Sequence, residues 1–166
     1  LFLATNHTKS IDEPNADQIY TTGTLGRIVQ AQRQDNGQIK VVVEGRERGT
    51  AVRVEHDSDG MFYAHVRRVP STDESGYRTD GLLQKIHGQV EQFLRVSPDA
   101  YTDALHAALR GVSAAQIADS MSSQLRIGVD EKQDLLETVS VQERLQKLVD
   151  FLDAEIEKRQ MDRNIH

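Results

Sequence analysis

Six histidines, at positions His7, His56, His65, His87, His106 and His166, are the side chains here best suited to bind a metal or move a proton near neutral pH. A zinc site aims two imidazoles at one ion, through spacings such as His-x-His or His-Glu-x-x-His. None of the six stands in either spacing, so ordinary surface or half-buried histidine is the better reading. Hydroxyls at Ser71, Ser75, Ser113, Ser120, Ser122 and Ser123 lack a recognisable base nearby in sequence, and caps and loops explain them better than nucleophilic roles. Asp57 and Asp59 beside Gly60 faintly resemble a calcium loop, but the closing Glu is missing and a hairpin turn fits better. With no cysteine there is no thiolate, disulfide or cysteine-ligated zinc. Nothing matches Gly-x-x-x-x-Gly-Lys-(Ser/Thr), so no loop of backbone amides is expected to cradle a nucleotide's phosphates. We therefore expect no catalytic residue, no metal ligand and no cofactor site in this chain.

Binding remains. In Met61-Phe62-Tyr63 the two-residue period of a strand puts Met61 and Tyr63 on one face, and Phe62, Ala64 and Val66 on the other. With Phe62 in the core, Met61 and Tyr63 face outward. Such a pair suits adaptable contact with unfolded apolar segments, because Met repacks easily and Tyr offers area with a polar tip. Met61 and Tyr63 are accordingly the candidate substrate contacts; packing against other parts of the protein is the alternative use of the same residues.

The elements that must position them change character near residue 75. Before it, Gly26 to Gln34 and Gln38 to Glu44 flank Asp35-Asn36-Gly37, and Asn-Gly favours the positive φ angles of a tight hairpin. Thr50 to His56 and Met61 to Val69 form a second pair around Asp57-Ser58-Asp59-Gly60. Leu1-Phe2-Leu3-Ala4 reads as part of a buried strand, and Asp12 to Asp17 as a polar loop. After residue 75 the period is helical: Leu82, Leu83, Ile86, Val90, Phe93 and Leu94 share one side of a helix. Ser97-Pro98-Asp99 signals a second helix, with Ser97 as N-cap and Gly111 as its stop. Ser113 with Gln116, and Asp130 with Gln133, mark two more helix starts. Ser140-Val141-Gln142-Glu143 is a capping box opening a long helix that bears Leu145, Leu148, Val149, Leu152 and Ile156. Run to His166, that helix spans about 39 Å, and its last turns have little to bury. The expected fold is α+β: a β-rich lobe over 1–75, then a helical bundle lobe over 76–166 ending in a long projecting helix.

Composition narrows the function classes. The chain has 166 residues, 37% hydrophobic and 28% charged, with a net charge of -6. Its densest basic runs hold two arginines each, which argues against nucleic acid, where Lys and Arg gather into stripes. No apolar run approaches the roughly 20 residues that span a bilayer. Lack of cysteine fits a reducing cytosol, so cytoplasmic residence is expected.

The segment Tyr20-Thr21-Thr22-Gly23-Thr24-Leu25-Gly26-Arg27-Ile28 resembles the Tyr-x-x-Gly-Thr-(Val/Leu)-(Ala/Gly)-x-Ile of the amino-terminal domains of bacterial Lon proteases. Asp35 to Gly45 is similar to that family's Asp-Gly-x-x-Lys-Val-(Leu/Val)-Val-Glu-Gly hairpin. Lys132-Gln133-Asp134-Leu135-Leu136-Glu137, Val141-Gln142-Glu143-Arg144-Leu145 and Glu155-Ile156-Glu157 resemble three later elements, in the family's order and spacing. The resemblance implies a PUA-like β lobe before the helical one, and recognition of unfolded or degron-tagged proteins without catalysis. It also implies a parent ATP-dependent serine endopeptidase whose ATPase module, using ATP and Mg, and Ser-Lys protease domain lie outside this stretch. The parent is expected to self-associate as a ring, a hexamer, spaced by the long helix. Because the family carries further strands before the position of Leu1, truncation at the start is expected too.

Two rivals need stating. A stand-alone binding module of the same fold would take a protein or small ligand, and sequence beyond residue 166 would separate it from the protease. An independent Ser/His hydrolase lacks any nucleophile elbow, and turnover of ester or peptide substrates is what would support it.

Overall fold

The computed structural model describes residues 1–8, 14–72 and 75–165. His166 and the first two residues of the polar loop expected at 12–17 lie outside the described residues. The chain divides into two compact units, Leu1–Ser71 and Thr72–His166. The fold is α+β, with all strands in the first unit and five α-helices in the second.

The first unit is an antiparallel meander of four strands in the order β1-β2-β3-β4: β1 Phe2–Leu3, β2 Thr22–Arg33, β3 Ile39–His56 and β4 Phe62–Val69. Both tight turns form where the sequence places them. Gly37 has φ 85° and Gly60 φ 81°, a region that costs a residue with a Cβ dearly. In the second turn the Asp57 carboxylate accepts from the amides of Asp59 and Met61, both at 3.0 Å, so this aspartate organises a turn.

Two expectations need correcting here. Gln38 to Glu44 and Thr50 to His56 are not separate strands; they are the two halves of one 18-residue β3. Its residues 39–50 pair with β2 and its residues 48–56 with β4, so one strand serves two ladders in succession. Gly45 and Gly49, which lie between the two expected segments, allow close approach: a Cβ on Gly49 would stand 2.5 Å from Val66 and 3.4 Å from Leu25. β4 stops at Val69 because Pro70 brings no N–H to the ladder. The second correction concerns Leu1 to Ala4: the strand forms, but Leu1 and Leu3 are exposed rather than buried.

The second unit consists of α1 Tyr77–Val96, α2 Ala100–Ala108, α3 Ala114–Gln124, α4 Val129–Glu137 and α5 Val141–Ile165. Ile86, Val90 and Phe93 of α1 meet Leu145, Leu148, Val149, Leu152 and Ile156 of α5 in one apolar core, which Leu105, Met121, Leu125 and Leu135 complete. Helix starts differ from expectation in two places. Asp99, not Ser97, caps α2: its carboxylate accepts from the Thr102 amide at 2.8 Å, while Ser97 ends α1 and its carbonyl accepts from the Thr102 hydroxyl at 2.6 Å. Gly128, not Asp130, caps α4, where the Glu131 side chain accepts from the Gly128 amide at 2.9 Å. A carboxylate supplies the acceptor in both cases, from the cap itself at Asp99 and from the third helical residue at Glu131. Negative charge is favoured at a helix start, where free amides gather. Ser113 and Ser140 cap α3 and α5 as expected. Gly111 does not terminate α2, which ends at Ala108; a Cβ there would meet Ile117 at 2.9 Å.

α5 outlasts its core. Ile156 is the last buried position, and beyond it Met161 and Ile165 are exposed. Arg159 marks the departure point, with its guanidinium 5.1 Å from the Phe93 ring centre and 5.6 Å from that of Tyr101.

Candidate functional site

A concave surface in the β unit lies over its sheet. Phe62, Ala64 and Val66 alternate along β4, Val54 sits opposite Ala64 on β3, and Leu25 comes from β2. Phe2 of β1 closes one side, its ring lying where a Cβ on Gly23 would come within 2.8 Å. Together they floor an open groove of about 770 Å³. Its rim adds Asn6, Pro14, Asn15, Ile19 and Arg68, the last held 3.3 Å from the Glu47 carboxylate. An apolar floor with few polar groups at the edge is the usual make-up of a site that takes apolar side chains.

Phe62 is not a core residue. It is 53% exposed, and the edge of its ring meets His56 with centres 5.6 Å apart. The premise that Phe62 is buried while its neighbours face outward therefore fails: Met61 and Tyr63 are exposed, and so is Phe62. Tyr63 lines the groove beside Phe62, whereas Met61 belongs to the turn before β4 and does not line it. The groove residues outside β4, above all Phe2, Leu25 and Val54, escaped the sequence reading, as did Arg68 on β4 itself. The period-two pattern of Phe62, Ala64 and Val66 signalled an apolar face, but periodicity does not say whether anything covers it.

The histidines are dispersed. His7 meets the Tyr20 ring at 4.5 Å, His65 lies between Arg53 at 3.1 Å and Glu55 at 3.4 Å, and His87 and His106 are exposed on helices. Among the described residues no three metal-ligating side chains converge. The hydroxyls of Ser122 and Ser123 donate to the carbonyls of Ala118 and Ser120.

Two polar clusters in the helical unit are built for stability. Arg144, fully buried, donates from one terminal nitrogen to the carbonyls of Thr138 at 2.7 Å and Val139 at 2.9 Å, and its Nε lies 3.5 Å from Asp119. It thereby holds the turn between α4 and α5. Tyr101 donates to Glu155 at 2.9 Å and accepts from the Arg126 amide at 3.2 Å. Burial, aided by the Glu155 carboxylate, pushes its phenol up to about 12. Hydrogen bonds from Thr102 hold the Asp99 carboxyl below its ordinary value.

With this geometry in view, comparison with known proteins decides the family. Residues 1–154 match the family described as the ATP-dependent protease La (LON) substrate-binding domain. This chain belongs to that family. It is 39% identical over 165 residues to a Lon protease of Solibacter usitatus, a match that covers 99% of this chain and 20% of that protein. Lon protease 1 of Bacillus subtilis is 30% identical over 165 residues, with 99% of this chain and 21% of the relative covered. The chain thus spans about a fifth of the length of these Lon proteases. Two solved structures share its fold. The N-terminal domain of a Mycobacterium avium complex Lon protease has a TM-score of 0.62 at 20% identity, covering 84% of this chain and 74% of that one. A Lon N-terminal domain protein from Xanthomonas campestris gives 0.56 at 19%, covering 82% and 70%. Among the described residues, no helix of this Lon domain is long and apolar enough to cross a membrane.

Proposed function

We propose that this Lon domain captures exposed apolar segments of unfolded or degron-tagged proteins in the groove of its β unit, and does so for a cytoplasmic ATP-dependent serine protease. The observation that carries this reading is the open apolar floor of Phe2, Leu25, Val54, Phe62, Ala64 and Val66 in a member of the substrate-binding family. A folded protein hides the side chains such a floor accepts; an unfolded one presents them. Met61 and Tyr63 extend the contact at the mouth, Tyr63 from the groove wall and Met61 from the adjoining turn. The capture is not catalytic: ATP and Mg, the Ser-Lys dyad and the chemistry they perform belong to the rest of the parent.

Magnitudes explain why capture would need several copies. Burying one Leu or Phe side chain contributes about 1.5–3 kcal/mol. A groove of about 770 Å³ holds few such groups, and association itself costs about 4–15 kcal/mol. One site is therefore weak. A ring of copies, six on this reading and spaced by α5, raises the effective concentration of sites and converts weak contacts into avidity.

The test is fluorescence anisotropy of a labelled, permanently unfolded protein and of its folded counterpart, titrated with this domain without nucleotide. Preference for the unfolded form supports capture here, and loss of that preference in Phe62→Ser places it in the groove. Equal binding of both forms would remove recognition from this domain.

A further inference from the structure

Beyond the sheet's centre, β2 and β3 continue as a two-stranded arm. Residues 27–33 pair with 39–44, while the backbone of Leu1–Leu3 reaches no further along β2 than Gly26 and β4 no further along β3 than Arg48. Among the described residues, no strand therefore lies on the outer side of β3 from Ile39 to Glu47. Ile39, Val41 and Val42 are exposed on that arm, at 60%, 43% and 48%. An open edge of β-branched residues is a template for another strand, and proteins that keep such an edge free blunt it with proline, bulges or inward charges. Residues 39–45 contain no proline, and the ladder shows no bulge on the β3 side within them.

We propose that two copies of this chain join edge to edge through β3, with residues 39–45 antiparallel about a twofold axis at Val42. The charge pattern selects this register and this occupant. In an antiparallel self-pairing centred on Val42, Lys40 of each copy stands opposite Glu44 of the other, Val41 opposite Val43, and Ile39 opposite Gly45. Lys40, Val42 and Glu44 share one face and Ile39, Val41 and Val43 the other, so two ion pairs flank a valine contact on one side and valines meet valines on the reverse. Lys40 has no carboxylate partner within its own chain among the described residues. Glu44 lies 3.1 Å from Arg46 and 3.8 Å from Arg27, both through one carboxylate oxygen and in exposed pairs, which leaves its other oxygen to meet the Lys40 of a second copy. The outer edge of β2 is a poorer template: its symmetric pairing, centred on Gln30, sets Arg27 against Arg33. A joined edge about seven residues long runs roughly 23 Å. The inference is independent of the groove, which lies at the other end of the sheet's ladders.

Sedimentation equilibrium of the 166-residue chain and of two charge reversals, Lys40→Glu and Glu44→Lys, tests it. The unaltered chain is expected to dimerise with concentration, and each reversal alone to weaken that association by on the order of tenfold or more, since each sets like charges opposite one another twice. Mixed in equal amounts, the two variants bring two carboxylates of one chain opposite two ammonium groups of the other. The mixture should therefore regain a dimer that neither variant forms alone. That recovery also shows both variants to be folded. Oxidation of Val42→Cys, the chain's sole thiol, should trap a covalent dimer across the axis. A chain that stays monomeric at on the order of 1 mM overturns the proposal. So does a mixture no more associated than its components, the outcome expected if this edge instead takes an extended segment of a client.

Discussion

The two units bury their apolar side chains very differently. In the helical unit the core is closed and continuous, from Ile86 and Phe93 through Leu105 and Met121 to Leu148 and Leu152, all almost completely buried. In the β unit Ala51 is the one hydrophobic residue of comparable burial among the described residues. The sheet owes its order to ladder hydrogen bonds and tight turns, and its larger apolar groups stay accessible. Helices can satisfy their backbone locally and spend every apolar face on each other. A sheet of four strands has two faces, and here one of them keeps a groove open. Stability and accessibility are divided between the units, as a protein needs if part of it must offer apolar surface without unfolding.

The largest expected effect breaks the better-packed side. Leu148→Ala removes a fully buried side chain from the α1–α5 seam and should cost about 3–4 kcal/mol, read as a fall in the denaturation midpoint followed by circular dichroism. The half-buried Val54→Ala in the β unit should cost about 1 kcal/mol. Equal costs would mean that the β unit has a core comparable to the helical one, and the contrast would fail.

Arg144 comes next. Arg144→Met keeps much of the side chain's volume but leaves the Thr138 and Val139 carbonyls without the guanidinium that now donates to both. A loss of about 2–3 kcal/mol is expected in the same measurement. Arg144→Lys should recover only part of it, since an ammonium is a point donor where a planar fork is needed. Full recovery by Lys would show that charge, rather than the two-carbonyl grip, holds the turn.

Legibility in the sequence follows the same division. α1 and α5 were readable because 3.6-residue periodicity and burial coincide: the residues predicted for one side of each helix, such as Ile86, Val90, Leu145 and Leu152, are the buried ones. Both hairpin turns were readable from Asn36-Gly37 and Asp59-Gly60, where backbone conformation is a local property. The caps at Asp99 and Gly128 were each misplaced by two residues, because several neighbouring side chains could satisfy the same amides. The continuity of β3 through Gly45 and Gly49 was hidden, since a glycine that admits a neighbouring side chain looks in sequence like one that breaks a strand. The groove was legible only as an apolar face at Phe62, Ala64 and Val66. Whether such a face is covered depends on long-range packing, which no local pattern encodes.

The groove allows binding to be separated from stability. Phe62 is 53% exposed, so Phe62→Ser should shift the midpoint by less than about 1 kcal/mol while weakening capture of an unfolded client severalfold. Met61→Ser combined with Tyr63→Ser, at the mouth, should weaken capture less than Phe62→Ser does. Unchanged capture by a folded Phe62→Ser protein would move recognition off this floor. A midpoint that fell with capture would make Phe62 a packing residue after all.

Tyr101 offers the smallest and most local test of how dry the helical unit is. Its phenol is raised to about 12 from an ordinary 10, first by burial and then by the Glu155 carboxylate to which it donates. The neutral phenol is thus favoured by folding. Its contribution is fully present below pH 10, the value in the unfolded chain, and is lost progressively as the pH rises from there through about 12. Ultraviolet titration of tyrosinate should accordingly show a late step from Tyr101, which Tyr101→Phe should abolish. The same substitution removes the bond to Glu155 but keeps the ring beneath Arg126, whose guanidinium lies 4.2 Å from its centre, so a loss of only about 1 kcal/mol is expected at neutral pH. Asp99 acts at the opposite end of the scale. Because its carboxyl is lowered by the Thr102 hydrogen bonds, its support of α2 is fully present above pH 3.8 and fades as the pH falls below that through the lowered value. Absence of a late tyrosinate step would mean that water reaches the Tyr101 phenol, and that the helical core is less closed at the start of α2 than at the α1–α5 seam.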